Sequence, residues 1–147
     1  MKHASFRWVF FASILFYVIM PFCCNSCSLY ANVHTAPHLF ACIAMDHEMC
    51  FRSVLVTEYQ QTPKDVVTHL RMNEWSLIHA CVYYARPSLA KFLLTLNDDL
   101  RNLRVKFGAQ ALTPLEFARH LEKHPDPTRT KEEFGSLKRV KDVLLLG

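Results

Sequence analysis

The side chains best suited to chemistry in this 147-residue chain are its histidines and cysteines. An imidazole at His34, His38, His47, His69, His79, His120 or His124 could act as a general base and activate a serine or cysteine nucleophile. Such a site needs partners at a recognisable spacing. The chain has no Gly-x-Ser-x-Gly turn, no His-Glu-x-x-His pair and no glycine-rich phosphate loop, and it carries only three glycines. No catalytic residue is assigned, and the chain is read as a non-enzyme. A small secreted enzyme built on Cys50 or His47 is the remaining catalytic reading, with no substrate indicated.

The cysteines Cys23, Cys24, Cys27, Cys42, Cys50 and Cys81 all fall in the first 81 residues, where a disulfide framework would spread them out. Removing a leader after Cys27 leaves Cys42, Cys50 and Cys81, an odd set. Cys42 and Cys81 each follow an alanine, Ala41 and Ala80, at a place where a small buried side chain suits a helix contact, so packing is their expected role. The pairs Cys24/Cys27 and His34/His38 have spacings that could close on a tetrahedral zinc ion. Only residues 28–33 lie between the pairs, whereas a finger needs room for a helix there, so neither a metal nor a cofactor is expected.

The elements that would position these residues are short helices. In Thr113-Pro114-Leu115-Glu116-Phe117-Ala118, Thr113 can cap a helix through its hydroxyl, and Pro114 falls in the first turn, where its missing N–H costs nothing. Leu115 and Ala118 would share one side of that helix, and the small Ala lets a neighbouring helix approach. Leu77 and Ala80 repeat the spacing in Trp75-Ser76-Leu77-Ile78-His79-Ala80-Cys81, and a fainter copy begins at Ala36-Pro37-His38-Leu39-Phe40-Ala41-Cys42. Each copy is followed by an apolar stripe with i, i+3, i+4 rhythm: Phe51, Val54, Leu55; then Leu89, Phe92, Leu93; then Val140, Val143, Leu144. Thr62-Pro63-Lys64-Asp65 also reads as a helix start leading into Val66, Val67 and Leu70. It is either an extra helix between units or the opening of a unit of its own.

The Thr-Pro-Leu-x-x-Ala start and the Val-x-x-Val-Leu-Leu end resemble the ankyrin repeat, whose period is about 33 residues. The copies here begin at residues 36, 75 and 113, and the family's Gly-His turn is replaced by Tyr84-Ala85-Arg86. The resemblance implies an all-α chain, a short ankyrin-like helical repeat solenoid with units 36–74, 75–112 and 113–147, each burying its apolar face on the next. It also implies binding of another protein through loop tips and the face of the first helices. Partner-binding residues are then Trp75, Tyr83 and Tyr84 near the second copy and Arg104, Lys106 and Phe107 in the connector before the third, types that dominate interface energies. The segment from Lys123 to Glu133, with Pro125 and Pro127, reads as an exposed loop.

Residues 1–28 differ from the rest. A basic start with Lys2 and Arg7 precedes an uncharged run from Trp8 to Met20, suited to the core of a signal peptide, with Ser26 and Ser28 as possible cleavage points. Extended to Cys24, the run reaches the lower limit for spanning a bilayer, so a signal anchor is the alternative. Lys2 and Arg7 would hold its short end in the cytoplasm. Either version predicts export of residues 29–147, as a secreted or membrane-anchored domain; the domain is intracellular if the leader is not used. A second functional reading is a single-pass adaptor in which residues 8–24 meet a partner in the bilayer. The net charge of +4 includes Lys2 and Arg7. The clusters Arg101/Arg104/Lys106 and Lys138/Arg139/Lys141 lie beside apolar residues and read as solvated faces, so no nucleic acid is expected.

Overall fold

A computed structural model of the chain describes residues 35–58 and 63–146. The hydrophobic leader at 1–28, Cys23, Cys24, Cys27, His34 and the helix-opening Thr62 lie outside these residues. The described chain runs α1 (Thr35–Ala44), α2 (Glu48–Glu58), α3 (Pro63–His69), β1 (Arg71–Met72), β2 (Trp75–Ser76), α4 (Leu77–Tyr83), α5 (Pro87–Leu96), a 3-10 turn (Asp98–Asn102), β3 (Val105–Phe107), β4 (Gln110–Leu112), α6 (Pro114–Lys123) and α7 (Lys131–Leu145). No helix among them is long and apolar enough to cross a membrane.

Helices dominate, as the all-α expectation has it, with two small antiparallel hairpins, β1–β2 and β3–β4, each placed before a helix pair. Their strands of two or three residues are too short to display an alternating pattern in the sequence. The segment containing Arg104, Lys106 and Phe107, expected as a connector, therefore leads into a strand. In it Val105 pairs with Leu112, Lys106 with Ala111 and Phe107 with Gln110.

The apolar stripes fall where the rhythm puts them. Phe51, Val54 and Leu55 on α2, Leu89 and Leu93 on α5, and Val140 and Leu144 on α7 are buried, with Phe92 and Val143 half-buried beside them. One contiguous apolar core runs from Leu39 on α1 to Leu144 on α7. α1 packs on α2 and α4, α4 on α5 and α6, and both α5 and α6 pack on α7. α2 reaches α5 through an edge-to-face contact of Phe51 on Phe92, and the Arg52 guanidinium stands 4.1 Å over the same Phe92 ring. α3 is a single short helix that buries Val67 and is followed by a hairpin, as an extra helix between pairs would be.

The first helices of the first two pairs end alike. After α1, the His47 N–H donates to Cys42 O at 2.9 Å and the Asp46 N–H to Ile43 O; after α4, the Arg86 N–H donates to Cys81 O at 2.8 Å and the Ala85 N–H to Val82 O. These crossed bonds make a Schellman turn. Its left-handed position, ordinarily glycine, is held by Asp46 (φ 59°) and Ala85 (φ 55°). Cys42 and Cys81 are thus equivalent, both buried and both carrying the carbonyl that closes the turn.

Helix starts fix the register between the second and third pairs. The Ser76 hydroxyl accepts from the His79 N–H, and the Thr113 hydroxyl accepts from the Glu116 N–H. Ser76 therefore matches Thr113, and Cys81, rather than Ala80, matches Ala118. In return the Thr113 N–H donates to the Glu116 carboxylate (2.8 Å), and the Thr130 N–H donates likewise to Glu133 at the start of α7. Each capping box satisfies donors that a helix start leaves open.

Candidate functional site

The expected partner-binding residues gather on the side of the helix pairs that carries the hairpins, where β2 meets β3. Strand geometry divides them. Val105 and Phe107 turn inward and Lys106 turns outward, following the two-residue alternation of a strand. Trp75 on β2 is 5% exposed and packs edge-on against Tyr83, Phe107 and Phe117, with ring centroids 5.4, 6.3 and 5.2 Å away. Phe107 is half-buried between Trp75, Phe117 and His120. Trp75 is therefore a packing element that sets the hairpins on the helices, and Phe107 is only partly open to solvent. Tyr83 and Tyr84 meet edge-to-face at 5.0 Å and are half-buried.

Arg104 and Lys106 are exposed. Arg104 donates to Ala111 O across the hairpin (2.8 Å) and pairs with Glu116 at 3.3 Å, so its guanidinium is aimed along the hairpin edge. Hydrogen bonding from the Thr113 backbone, with the Arg104 charge behind it, holds the Glu116 carboxyl below the usual carboxylate range. The tip of the first hairpin, Asn73–Glu74, and that of the second, Gly108–Ala109, are exposed beyond these residues. Asn73 and Glu74 both have positive φ (51° and 68°), and Gly108 has φ 61°, as tight turns require.

His79 anchors this face from beneath. It is 2% exposed, and burial pushes its pKa down to about 4, a shift that the nearby Arg71 reinforces and the Leu112 carbonyl opposes. The imidazole is neutral at pH 7. Its Nε2 lies 3.0 Å from Leu112 O, which can only accept, so Nε2 carries the proton; Nδ1 then accepts from the Ser76 hydroxyl at 2.7 Å. One side chain ties the start of α4 to the last residue of β4. Both ring nitrogens are occupied by this task. The cavity beside it, lined by Trp75, His79, Val105, Phe107, Leu112 and Phe117, holds about 10 Å³, room for no more than one water.

Three arginines do work that spacing did not single out. Arg86, just before α5, donates to Ile43 O (3.0 Å) and Ala44 O (2.7 Å) at the end of α1. Arg129, just before α7, donates to Tyr83 O (2.7 Å) at the end of α4, with its guanidinium 5.7 Å from the Tyr83 ring centroid. Each reaches back to the first helix of the preceding pair and satisfies carbonyls that a helix end leaves open. Arg101 instead reaches forward, donating to Val143 O and Leu144 O near the end of α7. The legible signal was an arginine directly before a helix start, Arg86-Pro87 and Arg129-Thr130. The loop from His124 to Thr130 is mostly exposed and is folded by Asp126, whose carboxylate accepts from the Thr128 N–H and hydroxyl.

No protein-family model, no curated protein and no solved structure matches this chain.

Proposed function

We propose that residues 29–147 form a non-catalytic protein-binding module of ankyrin-repeat type, a short solenoid whose hairpin tips and first helices meet a partner protein. The observation that carries this reading is the recurrence of one set of devices. The Schellman turns at Asp46 and Ala85, the capped starts at Ser76 and Thr113, and the arginines reaching back from Arg86 and Arg129 sit at matching places in successive helix pairs. A repeat of this kind projects its hairpins from a rigid stack, and recognition placed on such projections needs little ordering on binding. Arg104 and Lys106 would engage carboxylates of the partner, with Phe107, Tyr83 and Tyr84 contributing apolar edges. A non-catalytic role fits a His79 whose two ring nitrogens are both bound within the fold.

The test is photo-crosslinking from the full-length chain in its native cell, with the reactive group at Lys106 or Ala109 and a control at Lys138 on the far helix. A discrete crosslinked protein is expected from the hairpin positions and not from Lys138. Arg104→Glu combined with Lys106→Glu should weaken that capture at least about tenfold, mainly by slowing association. Equal crosslinking from Lys138, or capture unaffected by the charge reversal, would remove the hairpin face from consideration.

The leader at residues 1–28 makes this module an exported one, secreted or held at the membrane. Translation with microsomes should yield a protease-protected product, shortened if a signal is cleaved and full-length and membrane-bound if it is an anchor. A soluble, unprotected, full-length product would return the module to the cytosol.

A further inference from the structure

His38, Cys42 and Cys50 bring a metal-binding set together at the first helix pair, away from the hairpins. His38 and Cys42 are four apart on α1 and share one face of it; Cys50 lies in the first turn of α2. The Nε2 of His38 is 3.4 Å from the Cys50 Sγ, and the three ligand atoms all lie within 4.8 Å of one another. Zinc bonds of about 2.3 Å to sulfur and about 2.0 Å to nitrogen place tetrahedral ligands about 3.5–3.8 Å apart, so closing on an ion asks only for small side-chain rotations. The backbone is already set for it. The Schellman turn at Cys42–His47 fixes the angle between α1 and α2, and Cys42 itself supplies the carbonyl that closes it.

We propose that His38, Cys42 and Cys50 bind one zinc ion, which clamps α1 to α2; among the described residues these three supply its ligands. Binding replaces two thiol protons: Zn²⁺ joins the Cys42 and Cys50 sulfurs and His38 Nε2, and two H⁺ leave to solvent. The resulting centre of one dication, two thiolates and a neutral imidazole has no net charge, which suits a place where Cys42 is 5% exposed and the other two are half-buried. The pairing differs from the sequence motif of Cys24, Cys27, His34 and His38: only His38 is shared, and the folded turn between α1 and α2, invisible as a motif, supplies the sulfurs.

The experiment is cobalt and zinc titration of the full-length chain, purified in detergent under reductant. One equivalent of Co²⁺ should produce the visible bands of a tetrahedral site and thiolate-to-metal charge transfer, displaced by Zn²⁺. Cys50→Ser, at a half-exposed position that tolerates the change, should remove one thiolate's charge-transfer intensity and abolish the rise in thermal midpoint that zinc gives the parent chain. His38→Ala should weaken zinc by at least about a hundredfold in a chelator competition, whereas Cys81→Ala should leave the spectrum unchanged. Absence of the bands in the reduced parent chain, or bands that persist in the Cys42→Ser/Cys50→Ser double variant, overturns the proposal.

Discussion

Lowering the pH from about 7 to about 4 is expected to take about 3 kcal/mol from the unfolding free energy through His79. The unfolded ring titrates near 6.5 and the folded one near 4, because burial disfavours the imidazolium. Between these values the unfolded chain binds a proton that the folded chain refuses, so stability rises with pH; it is complete above about 6.5 and has been lost once the pH reaches the folded value. Urea midpoints across this range measure the slope. His79→Gln should lower stability by about 2 kcal/mol at neutral pH, because Leu112 O and Ser76 lose a buried partner, and should flatten the acid slope. A slope unchanged in that variant would assign the proton uptake elsewhere. His38 titrates with the same sign, so the His38→Ala variant measured in parallel separates the two.

The same ring shows what the sequence could and could not disclose. The Trp75–Cys81 stretch marked a helix, and the i, i+3, i+4 stripes located α2, α5 and α7, because a 3.6-residue period survives in a run of ten or more residues. Ser76 as a cap is a local matter too, but Leu77 and Ala80 repeat the Leu115/Ala118 spacing and hide a shift of one residue. Only the hydrogen bond from the His79 N–H to the Ser76 hydroxyl moves the register so that Cys81 matches Ala118. Strands β1 to β4 carry too few residues to show an alternation. The burial of Trp75 follows from them, since an aromatic beside a loop and an aromatic on an inward strand face are the same letter in a sequence. Long-range polar contacts were least legible. Arg86, Arg101 and Arg129 bond to carbonyls some forty residues away, and a backbone carbonyl has no residue type to announce it. The meeting of His38 and Cys42 with Cys50 depends likewise on the turn at Asp46, a left-handed residue where glycine would ordinarily have signalled the bend.

Phe117→Ala should be the most damaging single truncation at the hairpin face, costing about 3–5 kcal/mol. Phe117 on α6 is 2% exposed and touches Trp75 at 5.2 Å, Phe107 at 5.2 Å and His79 at 5.9 Å between ring centroids, so its loss opens the junction between α4, α6 and both hairpins. A domain of this size has about 5–15 kcal/mol in total, so the variant would be marginal in urea yet still foldable. Phe117→Leu, which keeps most of the volume, should cost about 1–2 kcal/mol. The location of the loss matters more than its size. If the helix pairs form the proposed stack, in which each unit rests only on its neighbours, the damage is confined to the junction, so amides of α6 and α7 should exchange faster while those of α1 and α2 keep their protection. Phe51→Ala, at the opposite end, should reverse that pattern. If both variants instead accelerate exchange uniformly from α1 to α7, the core is a single cooperative unit, and the repeat reading of these helix pairs loses its energetic meaning even though their geometry repeats.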